Sequence, residues 1–149
     1  MYRFYIVCML VVFIACGDSS EERTDGYSNV ATSPEDSLME AVMEAHNVAM
    51  AKKGKVTGYL KTADQKIDSV SKIRSSDARQ TEAAYRDVRS KLKVAEDGMN
   101  KWMNEFRADS AQNETDVRIS YLTEEKRKME QIRDQTLEAL KQADSVLGK

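Results

Sequence analysis

Proline, glycine, cysteine and histidine are all scarce here: among 149 residues there are one Pro, six Gly, two Cys and one His. So few turn-forming residues argue against sandwiches, barrels and loop-built α/β folds, which need a turn every few residues. Two cysteines and one histidine leave little material for thiol catalysis, a Ser-His-Asp triad or a zinc site, since each needs several such groups converging. No pair of carboxylates stands out as an acid/base couple and no Gly-rich phosphate loop occurs, so no catalytic residue is assigned and the chain is expected not to be an enzyme. Charge of one sign is lacking too. Lys and Arg number 23 against 25 Asp and Glu, a formal net charge of -2, which weakens the electrostatic case for a nucleic-acid partner. What is abundant is Ala, Glu, Lys, Leu, Met, Gln and Arg, all good helix formers.

The N-terminus reads as an address. Met1-Tyr2-Arg3 supplies a positive start, and Phe4 to Ala15 is an uncharged apolar run well short of the ~20 residues that span a bilayer as a helix. A run of that length with those flanks is a signal-peptide core. It ends in Phe13-Ile14-Ala15-Cys16, which resembles a bacterial lipobox, with Phe13 standing where Leu is usual. Residues 1–15 are therefore expected to be a lipoprotein signal peptide. Cys16 is expected to become the N-terminus and to carry the only cofactor-like group, a covalent diacylglycerol and acyl lipid. Several chains on one residue give stable anchoring where a single chain is marginal. Residues 16–33 then form a polar linker too poor in apolar surface to fold, with a reach of roughly 20–25 Å.

From Ser33-Pro34-Glu35-Asp36, a strong helix start, the fold class is all-α: an antiparallel three-helix bundle or coiled-coil rod with a disordered N-terminal tether. The domain is placed at 34–149, with helices over about 34–74, 77–108 and 116–147. The first seam is Met39, Val42, His46, Ala49, Lys53, Val56, Leu60, Ala63, Ile67 and Val70, at alternating spacings of three and four. Gly54 and Gly58 are expected to bend it. The second seam is Thr81, Tyr85, Val88, Leu92, Ala95, Met99, Trp102 and Phe106, with Ser76 or Asp77 as its cap. The third carries Val117, Tyr121, Leu122, Met129, Ile132, Thr136, Leu140, Ala143 and Leu147. Short connections force antiparallel neighbours. The seams are wider than a two-stranded coiled coil requires, so a monomer is expected, with a dimer as the alternative.

Folding the chain back at its two breaks gathers Met39, Met43, His46, Met50, Met99, Trp102, Met103, Phe106 and Tyr121 at one end. Thioethers beside an imidazole suit Cu(I), so Met39, Met43, His46, Met50, Met99 and Met103 are candidate metal ligands. Trp102, Phe106 and Tyr121 are candidate partner-binding residues, since Met-rich surfaces adapt to many partners. The plainer reading makes all of these bundle core. The charged run Glu124-Glu125-Lys126-Arg127-Lys128 reads as a solvated face.

Leu38-Met39-Glu40-Ala41-Val42-Met43-Glu44-Ala45-His46 and Met99-Asn100-Lys101-Trp102-Met103-Asn104-Glu105-Phe106 resemble segments of short, uncharacterised Bacteroidetes-type helical lipoproteins. That group is labelled viral A-type inclusion protein. The resemblance implies a bacterial envelope lipoprotein and brings no activity or site residue with it. The expectation is a non-enzymatic outer-membrane lipoprotein, on the periplasmic or surface face, held to the membrane by its lipid. It would act as a helical spacer or a module for an envelope protein partner. The alternative is a periplasmic Cu(I)- or ligand-binding module using the Met/His/Trp end.

Overall fold

The computed structural model describes residues 33–148. The expected signal peptide, the acylation site Cys16 and the linker up to residue 32 lie outside the described residues. Within them the chain forms α1 (Pro34–Met50), α2 (Lys53–Ser71), α3 (Ser76–Glu105) and α4 (Thr115–Leu147). No strand occurs among the described residues. The first two helices are successive pieces of one arm, so the fold is a three-helix bundle running up, down and up. Among the described residues, no helix is long and apolar enough to cross a membrane.

Local chemistry fixes where the helices start. The Ser33 hydroxyl accepts from the Asp36 backbone N–H at 3.1 Å, and Pro34 occupies the first turn of α1, where its missing N–H costs nothing. For α3 the cap is Ser75 rather than the expected Ser76 or Asp77. Ser75 sits in extended backbone and its hydroxyl accepts from the Ala78 N–H at 3.1 Å, which places Ser76 and Asp77 inside the first turn.

The first arm is interrupted at Ala51–Lys52, ahead of both glycines. Here the Lys52 N–H donates to the Ala49 carbonyl, three residues back, at 3.0 Å, before Val56 N–H resumes on Lys52 O. Both Ala51 and Lys52 keep right-handed helical angles, so the arm tightens for one turn and continues. The seam explains the position. Its regular spacing demands a buried side chain at Lys53, and burying an unpaired ammonium is expensive. The tightened turn leaves Lys52 and Lys53 exposed. A cavity of about 20 Å³ remains beside it, lined by Ala49, Lys53, Val56, Ala95, Met99 and Thr136 among others, room for roughly one water.

The interruption also divides the packing. α1 lies mainly on α4, α2 lies mainly on α3, and α3 and α4 pack on each other. Two clusters of buried side chains result. One holds Val42, Ala45, Ala49, Met99, Trp102 and Met129. The other is aliphatic, with Val56, Ala63, Val88, Leu92, Leu140 and Leu147 among its members. The seams are realised with local corrections. Ala45 takes the buried place expected for His46, which is half-buried, while Lys53, Thr81 and Val117 are exposed. Val117 lies in the first turn of α4 and is 52% exposed.

Candidate functional site

The end expected to gather Met, His and aromatic residues does so around a column of rings. His46 from α1 lies 5.4 Å from Trp102 of α3, tilted by 35°. Trp102 and Phe106 stack at 4.5 Å and 18°, and Phe106 and Tyr121 of α4 follow at 6.2 Å and 14°. Such offset ring pairs contribute about 0.5–1.5 kcal/mol each beyond the area they bury. The spacing has a simple origin: Trp102 and Phe106 are one helical turn apart, and Phe106 leaves α3 in extended backbone, which turns its ring toward the start of α4.

The indole N–H and the phenol oxygen of the column are both engaged. The indole N–H of Trp102 donates to Glu125 Oε2 at 2.8 Å, and the Lys128 ammonium donates to the other carboxylate oxygen at 2.8 Å. Glu125 is 6% exposed, so a carboxylate is held inside the bundle between one neutral and one cationic donor, the arrangement that makes a buried charge tolerable. The hydrogen bond to Glu125 raises the pKa of Lys128. The Tyr121 hydroxyl accepts from the Arg107 backbone N–H at 2.8 Å. Beside it the Arg118 guanidinium donates to the carbonyls of Ala108 and Ser110, clasping the α3–α4 connection, in which Ala111 adopts a left-handed φ of 52°. No buried side-chain polar atom among the described residues lacks a partner.

The candidate ligands separate into two groups. Met99 is buried in the cluster that contains Trp102, with Met50 packed against it. Met43 and Met103 are each 36% exposed, and Met39 is half-buried. His46 Nδ1 lies 3.2 Å from Asn47 Oδ1. Among the described residues no three His, Cys, Asp or Glu side chains are grouped to hold a metal ion, so a soft metal here would depend on thioethers with His46. Of the partner-binding candidates, Trp102 is 6% exposed and faces its own bundle, while Phe106 and Tyr121 are half-buried. Glu125 and Met129 belong to this site; the third seam already held Met129, whereas Glu125 escaped the reading of the sequence. Both fit the α4 seam at spacings of three and four after Leu122, but Glu125 stands in a run of charged residues.

No protein-family model, no curated protein and no solved structure matches the chain.

Proposed function

We propose that this protein is a non-enzymatic envelope lipoprotein, anchored through acylated Cys16, whose helical bundle serves as a spacer or protein-binding module outside the membrane. The observation that carries the reading is the sequence Phe13-Ile14-Ala15-Cys16 at the end of a charge-free apolar run, followed by polar residues up to the helix start at Ser33. The bundle is consistent with it in one respect: the Trp102, Glu125, Lys128, Tyr121 and Arg118 groups that look most chemical are spent on one another, holding helices and a loop in place. The resemblance to small Bacteroidetes-type lipoproteins and an outer-membrane location belong to the same proposal.

Metabolic labelling of the full-length protein with an alkyne fatty acid tests it. The expected result is label on the wild type, a detergent-phase partition, and loss of both in Cys16→Ser. Label that persists in the variant, or a wild type that is secreted unlabelled, overturns the anchor. Crosslinking of the lipidated protein in intact cells, followed by affinity capture, then reads partner and exposure together.

A second reading is favoured by Met50 and Met99 meeting around Trp102, next to His46: a soft-metal site. Cu(I) competition with a chromogenic chelator decides it, since retention equal to that of His46→Ala removes the reading.

A further inference from the structure

The balanced net charge conceals a sorted one. Residues 34–50 hold four acids, Glu35, Asp36, Glu40 and Glu44, and no Lys or Arg, whereas residues 52–74 hold seven Lys and Arg against two acids. The first arm is therefore acidic along α1 and basic along α2, changing sign at its interruption. Internal pairing leaves this pattern standing. Lys55 and Lys72 are tied to Asp144 and Asp68 and Glu44 lies within electrostatic reach of Arg133 of α4, but Lys52, Lys53 and Lys61 make no ion pair among the described residues, and neither do Glu35 and Glu40.

Neighbouring grooves show which way the middle of the arm faces. Lys53 borders the cavity shared with α3, and Lys52 and Lys55 border the groove shared with α4. Between them Ala51, Gly54 and Gly58 form the outer line of the arm, all exposed. A Cβ built on Gly54 or Gly58 would meet nothing within 4 Å, so nothing in the bundle requires glycine at either place, although each weakens the helix relative to Ala. Along the same outer face lie Glu40 and Glu44 on the acidic side and Lys61 on the basic side, all exposed.

We propose that this outer face of the α1–α2 arm is an interface with a second copy of the chain, the two arms lying antiparallel so that acidic α1 of each meets basic α2 of the other. The charge sorting carries the proposal, because each copy presents the complement of its own face. A twofold axis between Lys52 and Lys53 sets Glu44 opposite Lys61, and the glycines let the two backbones approach where the arms cross. The contact is isologous, so it closes at two copies. A parallel pair would set like charge against like along its whole length. The interface goes beyond the proposed envelope role and is independent of Cys16.

Sedimentation velocity of residues 17–149, which retain both core clusters in one compact unit, tests it at about 0.01 M and about 1 M salt, where the Debye length is roughly 30 Å and 3 Å. The expected result is an about twofold larger mass at low salt that reverts to the monomer at high salt. Lys61→Glu, and separately Glu40→Lys with Glu44→Lys, should each abolish the dimer with helical circular dichroism intact. Mixing the two variants should restore it as a heterodimer. A monomer at every salt concentration overturns the proposal, including one that binds heparin and so prefers a foreign polyanion. Variants that dimerise alone, a mixture that stays monomeric, or species growing beyond two copies overturn it as well.

Discussion

The two halves of the bundle solve one packing problem with different materials. Around α1 the core is built from a tryptophan, two methionines and a buried carboxylate, and its helices are linked from inside by the Trp102–Glu125 hydrogen bond. Around α2 the core is purely aliphatic, rich in alanine, and its helices are linked from outside, where Lys55 and Tyr59 reach Asp144 and Arg89 reaches Asp64. The difference lies in side-chain volume: the buried residues of the α2 half include the small Ala63, Ala139 and Ala143, while at the level of the bulky Trp102 the link between α3 and α4 is made by the long side chain of Glu125. Buried links are few and costly to disturb; exposed links are numerous and individually weak.

The comparison is tested most severely by hollowing each half in turn. Leu92 and Met129 are both completely buried, and replacing either by Ala should destabilise the bundle by about 2–5 kcal/mol. Chemical denaturation should show one transition for both variants if the halves form one cooperative unit; two transitions in either would separate them at Ala51–Lys52. Trp102→Phe should cost about 1–3 kcal/mol, because the buried Glu125 loses its indole donor, and the double variant Trp102→Phe/Glu125→Met should recover part of that loss in the same titration. A double variant less stable than the single one would mean that the buried link is not the discriminating feature.

Smaller effects belong to the α2 half. Gly54→Ala, measured at high salt, should stabilise by about 0.5–1 kcal/mol, since the new methyl group meets open space and the helix gains propensity. The exposed triad should matter least. Its hydrogen bonds lower the Asp144 pKa from its ordinary 3.8, with Tyr59 the larger cause and Lys55 the second. They raise those of Tyr59 and Lys55 from 10.0 and 10.5. A lowered carboxylate stabilises above its unfolded value and loses that contribution as pH falls through the native one. A raised phenol or ammonium stabilises below its unfolded value and loses that contribution as pH rises through the native one. The Tm difference between wild type and Asp144→Asn should thus be small, widest between about pH 5 and 9, and close at both extremes. A difference that grows in acid would contradict the assignment.

Much of this was legible in the sequence. The alternation of three and four placed Val42, Ala49, Val56, Ala63, Leu92, Met99 and Leu122 in the core, and folding the chain back at its two polar breaks brought His46, Trp102, Phe106 and Tyr121 to one level, where their rings do meet. Two things were not legible. Glu125 stands among Glu124, Lys126, Arg127 and Lys128 and reads as solvent-facing until its spacing from Leu122 and Met129 is weighed above its charge. A bend of the first arm is expected at the glycines, weak helix formers, yet the interruption falls at Ala51–Lys52, just ahead of the seam position of Lys53, whose side chain stays exposed. Desolvation of an ammonium outweighs backbone propensity, and only the requirements of the opposite helices reveal it. The choice of Ala45 over His46 is of the same kind, since adjacent residues can both satisfy the spacing and volume decides.

The change of partner at Ala51–Lys52 bears on the order in which the chain assembles. α2 with α3 and α3 with α4 are hairpins of consecutive helices, while α1 rests chiefly on α4, with residues 51–114 between them. Closing that loop has the largest entropic penalty and contributes nothing until α4 is in place. α1 is therefore the element expected to dock last and release first. The side chains that wait for it are those of the aromatic end, so Trp102 emission reports on the final step of folding rather than on the collapse that precedes it.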